Sequence, residues 1–245
     1  MSQKIENKVV LVTGANRGIG KQIVETFLAR GAKKVYLAVR DVTSTKGLED
    51  LYGSRVETID LDMSDKNAAK LAADRAGDVD ILINNAGVLI PKGPLEDDTE
   101  QALNYELEVN LYGLLRLVNA FAPVLEKNHG VLVQLNSVVS IRNFSNFATY
   151  SISKAASYSL TQALREVLIP KGVQVLSVHP GPIATDMGDT AGFSDAASPK
   201  VVAEGIITAI EKGDFHLFPD EVAQNFWGAY QGYSDAFVTA NLSGE

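Results

Sequence analysis

Cysteine is absent from the 245-residue chain. Disulfides, thiolate catalysis and cysteine-ligated zinc are excluded together, and the composition suits a reducing compartment. Histidine is scarce. His129, His179 and His216 are scattered, with no ligand spacing between them, so no metal site is expected. Positive charge is in deficit: 22 Lys and Arg against 30 Asp and Glu leave a formal charge of −8. Nucleic acid is therefore not an expected partner, because phosphate backbones need a basic surface, although a local basic pocket remains allowed. No apolar run approaches the length of a membrane span. Residues 1–8 are polar and lack the apolar core of a signal peptide. The expectation is a soluble, cytoplasmic protein with no membrane partner. The G-x-S-x-G nucleophile elbow and the phosphate-binding lysine loop are missing as well.

What is present is ordinary in bulk: 46% hydrophobic and 21% charged residues, at a length that allows a large core. No repeat, low-complexity stretch or Pro/Gly/Ser-rich linker divides the first two thirds, so residues 1–245 read as one domain. Short apolar runs at 8–13, 35–39, 56–59, 79–83, 131–135 and 173–178 read as strands. Between them lie segments of helical period. Ile19, Ile23, Val24, Phe27 and Leu28 form the first, and the alanine-rich residues 65–76 another. A long helix covers 99–127 with Gly113 inside it, and a further one covers 150–168, limited by Pro170. Strands alternating with helices predict an α/β fold, a parallel sheet covered on both faces. Residues 183–199 differ, with Gly188, Gly192 and small polar side chains. They form either a mobile substrate loop or an ordinary surface loop. Ser198-Pro199 then starts a helix through Glu211. The tail, 215–245, carries Phe215, Phe218, Phe226, Trp227, Tyr230, Tyr233 and Phe237. These pack on the core, line a pocket or form a subunit contact, packing being the default.

The segment Thr13-Gly14-Ala15-Asn16-Arg17-Gly18-Ile19-Gly20 follows the first strand and opens the first helix. That is the setting of a dinucleotide-binding turn, although the spacing differs from G-x-G-x-x-G. Gly14 permits the tight turn, Gly18 lets backbone approach a pyrophosphate, and Gly20 lets the helix pack closely on the strand. The helix N-terminus offers free N–H groups and a positive dipole end to phosphates. Farther on, Tyr150 and Lys154 share one helix face. A nearby ammonium favours the phenolate and brings a tyrosine down from its free pKa of about 10. Tyr150 would then exchange a proton with a carbonyl or alcohol. Such pairs also arise by chance. Ser137, at the end of a strand, gives this one force, because strand ends of open parallel sheets are where ligands bind.

Taken in order, these elements resemble the short-chain dehydrogenase/reductase family, over nearly the whole chain from Lys8 to about Met187. The matching pieces are the T-G-x-x-x-G-x-G turn at 13–20, Asn84-Asn85-Ala86-Gly87, Asn110, Ser137, Tyr150-x-x-x-Lys154 and Pro180-Gly181-Pro182-Ile183. The resemblance implies a single-domain Rossmann fold, a doubly wound parallel sheet with helices on both faces. It also implies hydride transfer between NADP(H) and a ketone, aldehyde or secondary alcohol. Tyr150 would be the general acid in reduction and the base in oxidation. Lys154 would lower its pKa and bind the nicotinamide ribose. Ser137 would hold the substrate oxygen, and Asn110 would keep a water in a proton relay beyond Lys154. Gly14, Asn16, Arg17, Gly18, Ile19 and Gly20 would cradle the cofactor, and Asn85, Ala86 and Gly87 would line its cleft. Asp62 and Met63 would meet the adenine. Pro180 and Gly181 would add contacts, and Ile183 and Thr185 would reach the carboxamide. Plainer readings stand beside these. Asn110 satisfies a backbone group at a helix irregularity near Gly113. Asp62 starts the next helix, where Ser64 is the better cap, and Asp60 competes for its role. Asn84 and Asn85 hold a turn. Asn136 stands where a second serine is frequent, and Ser140 offers another hydroxyl beside Ser137.

The second strand ends Val39-Arg40-Asp41, with Val39 where an NAD-preferring site places an acid. Arg40 and Arg17 would clamp a 2′-phosphate, and the resemblance implies the same NADP(H) preference. Alternatively Arg40 pairs with Asp41 in solvent, or Asp41 takes the ribose. An apolar substrate pocket is expected from Val138, Val139, Phe144, Phe147, Met187 and the tail aromatics. Imines and acyl-carrier-linked ketones are further substrates to weigh, the latter disfavoured by the lack of a basic run. A non-catalytic NADP(H) sensor is the rival from another class. Family members often form dimers or tetramers through the two long helices. Apolar Ala155, Ala156, Leu160, Ala163, Leu164 and Leu168 on more than one face of the second suit a homodimer or homotetramer.

Overall fold

Aliphatic runs set the frame. Val9–Thr13 (β1) is five consecutive buried residues, which only a strand covered on both faces can provide. Lys34–Val39 (β2), Ile81–Asn84 (β4), Val131–Leu135 (β5) and Gln174–Val178 (β6) repeat the pattern, whereas Val56–Asp60 (β3) lies half-exposed at the edge. With the short His216–Leu217 (β7) they form a seven-stranded sheet in the order β3-β2-β1-β4-β5-β6-β7, every pairing parallel. The computed structural model describes residues 3–193 and 195–240. Residues 1–2, residue 194 of the 183–199 segment and residues 241–245 of the tail lie outside the described residues.

Helices cover both faces. Gly18–Ala29 (α1) and Pro199–Lys212 (α8) pack against Val10, Val12, Val133, Leu176 and Val178. On the other face lie Ala68–Arg75 (α3), Gly113–Asn128 (α5) and Ala148–Leu168 (α6), against Leu11, Leu82, Leu132 and Val175. The alternation follows from the two-residue period of a strand. Thr99–Leu107 (α4) packs on α6. Lys46–Tyr52 (α2), Asp186–Thr190 (α7) and Glu221–Tyr233 (α9) complete the set. Ser198 caps α8 by accepting from the Lys200 N–H, with Pro199 in the first turn, and Gly213 ends it in a left-handed conformation.

The structure departs from the sequence expectation in three places. The helix expected over 65–76 starts only at Ala68, because Asp62 and Asp65 engage the preceding residues in turns. The long helix over 99–127 is two α-helices joined by a π-turn, Glu108–Tyr112, which holds Asn110. The 183–199 segment contains α7 and a bridge between Ile183 and Ala197. Among the described residues, no helix is long and apolar enough to cross a membrane.

Candidate active site

The chain runs outward from β1 to β3 and returns to β4, so its crossovers diverge at the C-terminal ends of β1 and β4. Open parallel sheets form their ligand crevice at such a point. A cleft of about 310 Å³ lies there. The glycine turn forms one wall. Gly14 sits at φ +65°, where a side chain is strained. A Cβ on Gly20 would come within 2.1 Å of the Gly14 carbonyl oxygen, so the close helix–strand approach requires glycine there. Gly18 abuts the Thr185 methyl. Arg17 precedes α1 without supplying a side-chain cap, and no acid stands in the first turn. The leading N–H groups of α1 are thus free for an anion, and Asn16, Gly18 and Ile19 line the cleft beside them. A diphosphate fits this cradle on its own chemistry.

Arg17 and Arg40 both line the cleft. Arg17 pairs with Asp186 of α7 at 2.8 Å, an exposed bridge worth little and readily exchanged for another anion. Arg40 has no ion pair with Asp41. Asp41 instead accepts from the Thr43 N–H and hydroxyl and closes a turn, and it too lines the cleft. Asp62 and Met63 line the cleft, whereas exposed Asp60 does not. The Asp62 carboxylate accepts from the Ser64 N–H and hydroxyl. Burial pushes its pKa up, but those two bonds and the Arg40 charge outweigh it and hold the carboxyl below its ordinary value. Asn85, Ala86 and Gly87 form the floor. The Asn85 amide donates to the Thr13 and Gly14 carbonyls and so braces the turn.

Helix α6 presents two buried stripes at helical spacing: Thr149, Ser153, Ser157 and Thr161, and beside them Tyr150, Lys154 and Tyr158. Lys154 donates from Nζ to the Leu135 carbonyl at 2.8 Å, and burial pushes its pKa down to about 8. Its Nζ is 5.8 Å from the centre of the Tyr150 ring. The expected lowering of the Tyr150 pKa is corrected here. Burial raises it, the Glu106 carboxylate raises it further, and only the Ser137 hydroxyl acts to lower it. Ser137, extended at the end of β5, donates to the Pro180 carbonyl and accepts from the Val139 N–H, both at a long 3.3 Å. Ser140 points away, toward the Ser137 carbonyl and His179. The Asn110 side chain donates to the Val88 carbonyl and to Ser153 Oγ and accepts from the Val88 N–H, each at 2.9 Å. That is the plainer reading of Asn110, a clamp on a neighbouring backbone at a helix irregularity.

Three expected cofactor contacts stand back from the cleft. Gly20 serves helix packing, as its spacing suggested. Gly181 donates its N–H to the buried Asp220 carboxylate, which also caps α9. Ile183 is buried in the core beneath α1 and α8, because the 183–197 bridge turns its side chain inward. Pro180 and Thr185 do border the cleft. The sequence reading missed other lining residues: Val88, Tyr105, Val109 and Asp186. Tyr105 and Val109 are one turn apart and precede Asn110, so helical spacing was the available signal. It also missed buried Glu106 near Tyr150, for which no local pattern gives notice.

The fold agrees with what comparison with known proteins finds. Residues 8–194 match the short chain dehydrogenase family, and the chain belongs to it. It is 34% identical to an uncharacterized oxidoreductase of Staphylococcus saprophyticus, over 89% of this chain and 97% of that one. It is 32% identical to the 3-oxoacyl-acyl-carrier-protein reductase of Escherichia coli, over 81% and 82%. A short chain dehydrogenase from Burkholderia cenocepacia, crystallised in complex with NADP, superposes with a TM-score of 0.87 at 32% identity, covering 97% of this chain and all of that one. The protein is thus an oxidoreductase of this family, one α/β domain of Rossmann type.

Proposed function

We propose that the protein reduces ketones or aldehydes to alcohols, or runs the reverse, with NADP(H). The observation that carries this reading is the buried Tyr150–Lys154 pair at the cleft floor, with the Ser137 hydroxyl acting on the same phenol. The free N–H groups of α1 and the two cleft arginines fit a dinucleotide bearing a 2′-phosphate, and the NADP complex of the Burkholderia relative supports the same choice. Bound there, the nicotinamide supplies the hydride in reduction and receives it in oxidation. The remaining work falls to the chain. Tyr150, its pKa raised by burial, keeps its proton at neutral pH and holds it ready for a nascent alkoxide. Lys154, anchored on Leu135, has donors left for ribose hydroxyls. Ser137, held only by two long hydrogen bonds, swings to the substrate oxygen and stabilises charge there. Residues 183–199 act as the substrate loop. Leu160, Leu164 and Leu168 of α6 pack into the core, and exposed Ile152, Ala155 and Ala163 leave the apolar stripe that suits a homo-oligomer; sedimentation as a monomer alone would remove that element.

The test is consumption of NADPH and of NADH against a panel of ketones and aldehydes. NADPH should be used in preference. Tyr150→Phe should lower turnover by roughly 10²–10⁴ while still binding NADPH. Arg17→Ala with Arg40→Ala should weaken NADPH binding far more than NADH binding. Tight NADPH binding without turnover of any carbonyl, or a Tyr150→Phe variant as active as the parent, would overturn the reading in favour of a sensor.

A further inference from the structure

A directed file of buried hydrogen bonds crosses the sheet beneath the cleft. It starts at Thr13, whose hydroxyl donates to Asn84 Oδ1 at 3.0 Å. Asn84 Nδ2 donates to Gln134 Oε1 at 2.7 Å, and Gln134 Nε2 donates to Ser157 Oγ at 3.1 Å. Ser157 donates to Asn136 Oδ1 at 2.8 Å, and Asn136 Nδ2 donates to Ser177 Oγ at 2.9 Å. Ser177 Oγ lies 2.8 Å from His179 Nε2, and His179 Nδ1 lies 3.0 Å from Ser140 Oγ. Ser140 donates to the carbonyl of Ser137. His179 and Ser177 are fully buried.

The direction of the file fixes the state of His179. Nδ1 also lies 3.3 Å from the Ser137 carbonyl, which can only accept, so Nδ1 carries the hydrogen. Nε2 is then bare and accepts from Ser177, whose oxygen is in turn filled by Asn136. Every donor has an acceptor and every acceptor a donor. The other tautomer would aim an N–H at a serine already committed and leave the Ser137 side without a donor. The ring has no freedom to turn: it stacks on Phe218 at 4.7 Å and meets the Tyr158 ring edge-on at 4.6 Å. Burial, and next the neighbouring His216, push its pKa down to about 3, so the imidazole stays neutral. His179 and Ser140 both hold the backbone carbonyl of Ser137, the residue whose own side chain has only loose hydrogen bonds.

We infer that His179, locked as its neutral Nδ1–H tautomer, is a positioning residue that aims Ser137 at the substrate oxygen through Ser140 and the Ser137 carbonyl. The inference rests on the reading of Ser137 given above. It extends that site inward, to a buried residue that does not line the cleft.

Two measurements test it. Nitrogen NMR of histidine-labelled protein reads the tautomer without any turnover. His179 should show a protonated Nδ1 and a bare Nε2 at every pH where the protein is folded; a protonated Nε2 reverses the file and overturns the inference. Turnover of menadione with NADPH then compares two substitutions. His179→Asn places an amide donor near the Nδ1 position and should keep most of kcat. His179→Gln reaches only toward Ser177 and should lower kcat on the order of 10-fold or more with KM for NADPH unchanged. In a Ser137→Ala background His179→Gln should add no further loss. Equal losses in the two His179 variants, or an added loss in the Ser137→Ala background, mark a purely structural histidine and overturn the inference. If Ser137→Ala is itself as active as the parent, the role of that serine falls and the inference with it. If Ser137→Ala is impaired and His179→Gln is not, the inference falls alone.

Discussion

Toward α1 and α8, β5 and β6 present Val131, Val133, Leu135, Leu176 and Val178. Toward α6, the same strands and the residues just past them present Gln134, Asn136, Ser177 and His179, all buried. β1 and β4 split the same way, with Val12 and Ile83 on the first side and Thr13 and Asn84 on the second. One face is dry and depends on packing. The other is equally closed to water but stands on paired polar groups, each costly if left unpaired. The difference lies where the cleft is. The polar side chains gather at the C-terminal strand ends, beneath the residues that must be aimed, while Leu11, Leu82, Leu132 and Val175 keep the rest of that face apolar. An apolar core tolerates exchanges of similar volume, whereas a hydrogen-bonded file specifies one arrangement.

The largest expected effect belongs to the dry face. Ile206, fully buried on α8, should cost about 2–5 kcal/mol of stability as Ile206→Ala. Urea unfolding reads the loss, and turnover per folded molecule should not change. A drop in turnover would show that the dry face also aims the site, and the contrast between the faces would break. Gln134→Leu is the matching change on the polar face. It leaves the Asn84 amide without its acceptor and should cost about 1–3 kcal/mol. It also removes the second donor from the Leu135 carbonyl that anchors Lys154, since Gln134 Nε2 donates there at 3.1 Å. Here the smaller loss of stability should come with a loss of turnover. The two variants together sharpen the comparison, because the order of stability and the order of activity should be opposite.

The dry face is also the more legible one. Runs such as 131–135 declare buried strands by composition, and α1 and α8 follow from helical spacing and, for α8, a Ser-Pro start. The glycine turn and the Tyr150–Lys154 face were readable because both are local in sequence. What escaped is non-local. α2 buries only Leu48 and so carries no apolar period. His179 and His216 are scattered in sequence, yet their rings lie 5.8 Å apart within one aromatic cluster. Part of the tail takes the default reading, with Phe226, Trp227 and Tyr230 of α9 packed around Val138 and Phe218, while Tyr233 and Phe237 stay exposed. The polar file was hidden because its members look like ordinary serines and amides until the strand register sets them side by side. The π-turn at Asn110 likewise reflects the Val88 backbone that Asn110 clamps, and Gly113 inside the helical segment was its one local sign.

The smallest expected effect probes a half-paired group on the polar side. Glu106, fully buried on α4, accepts the Ile90 N–H through Oε1 at 2.8 Å, while Oε2 and the Thr149 hydroxyl have no hydrogen bond. Burial raises its pKa above the ordinary 4.5, opposed by the Ile90 N–H. The folded chain therefore binds this proton more tightly than the unfolded chain does. The stability it contributes is fully present below pH 4.5 and is lost as the pH rises through the raised folded value. Glu106→Gln should remove that decline, giving a flatter urea midpoint over the weakly acidic range and a more stable protein than the parent above it. The same substitution removes a negative charge that holds the Tyr150 pKa up, so the alkaline limb of the pH–rate profile should move to lower pH. Parallel stability curves for parent and variant would mean that water reaches Glu106. The polar face would then be sealed only as far as Gln134, and its hold on the site would have to be shared with solvent.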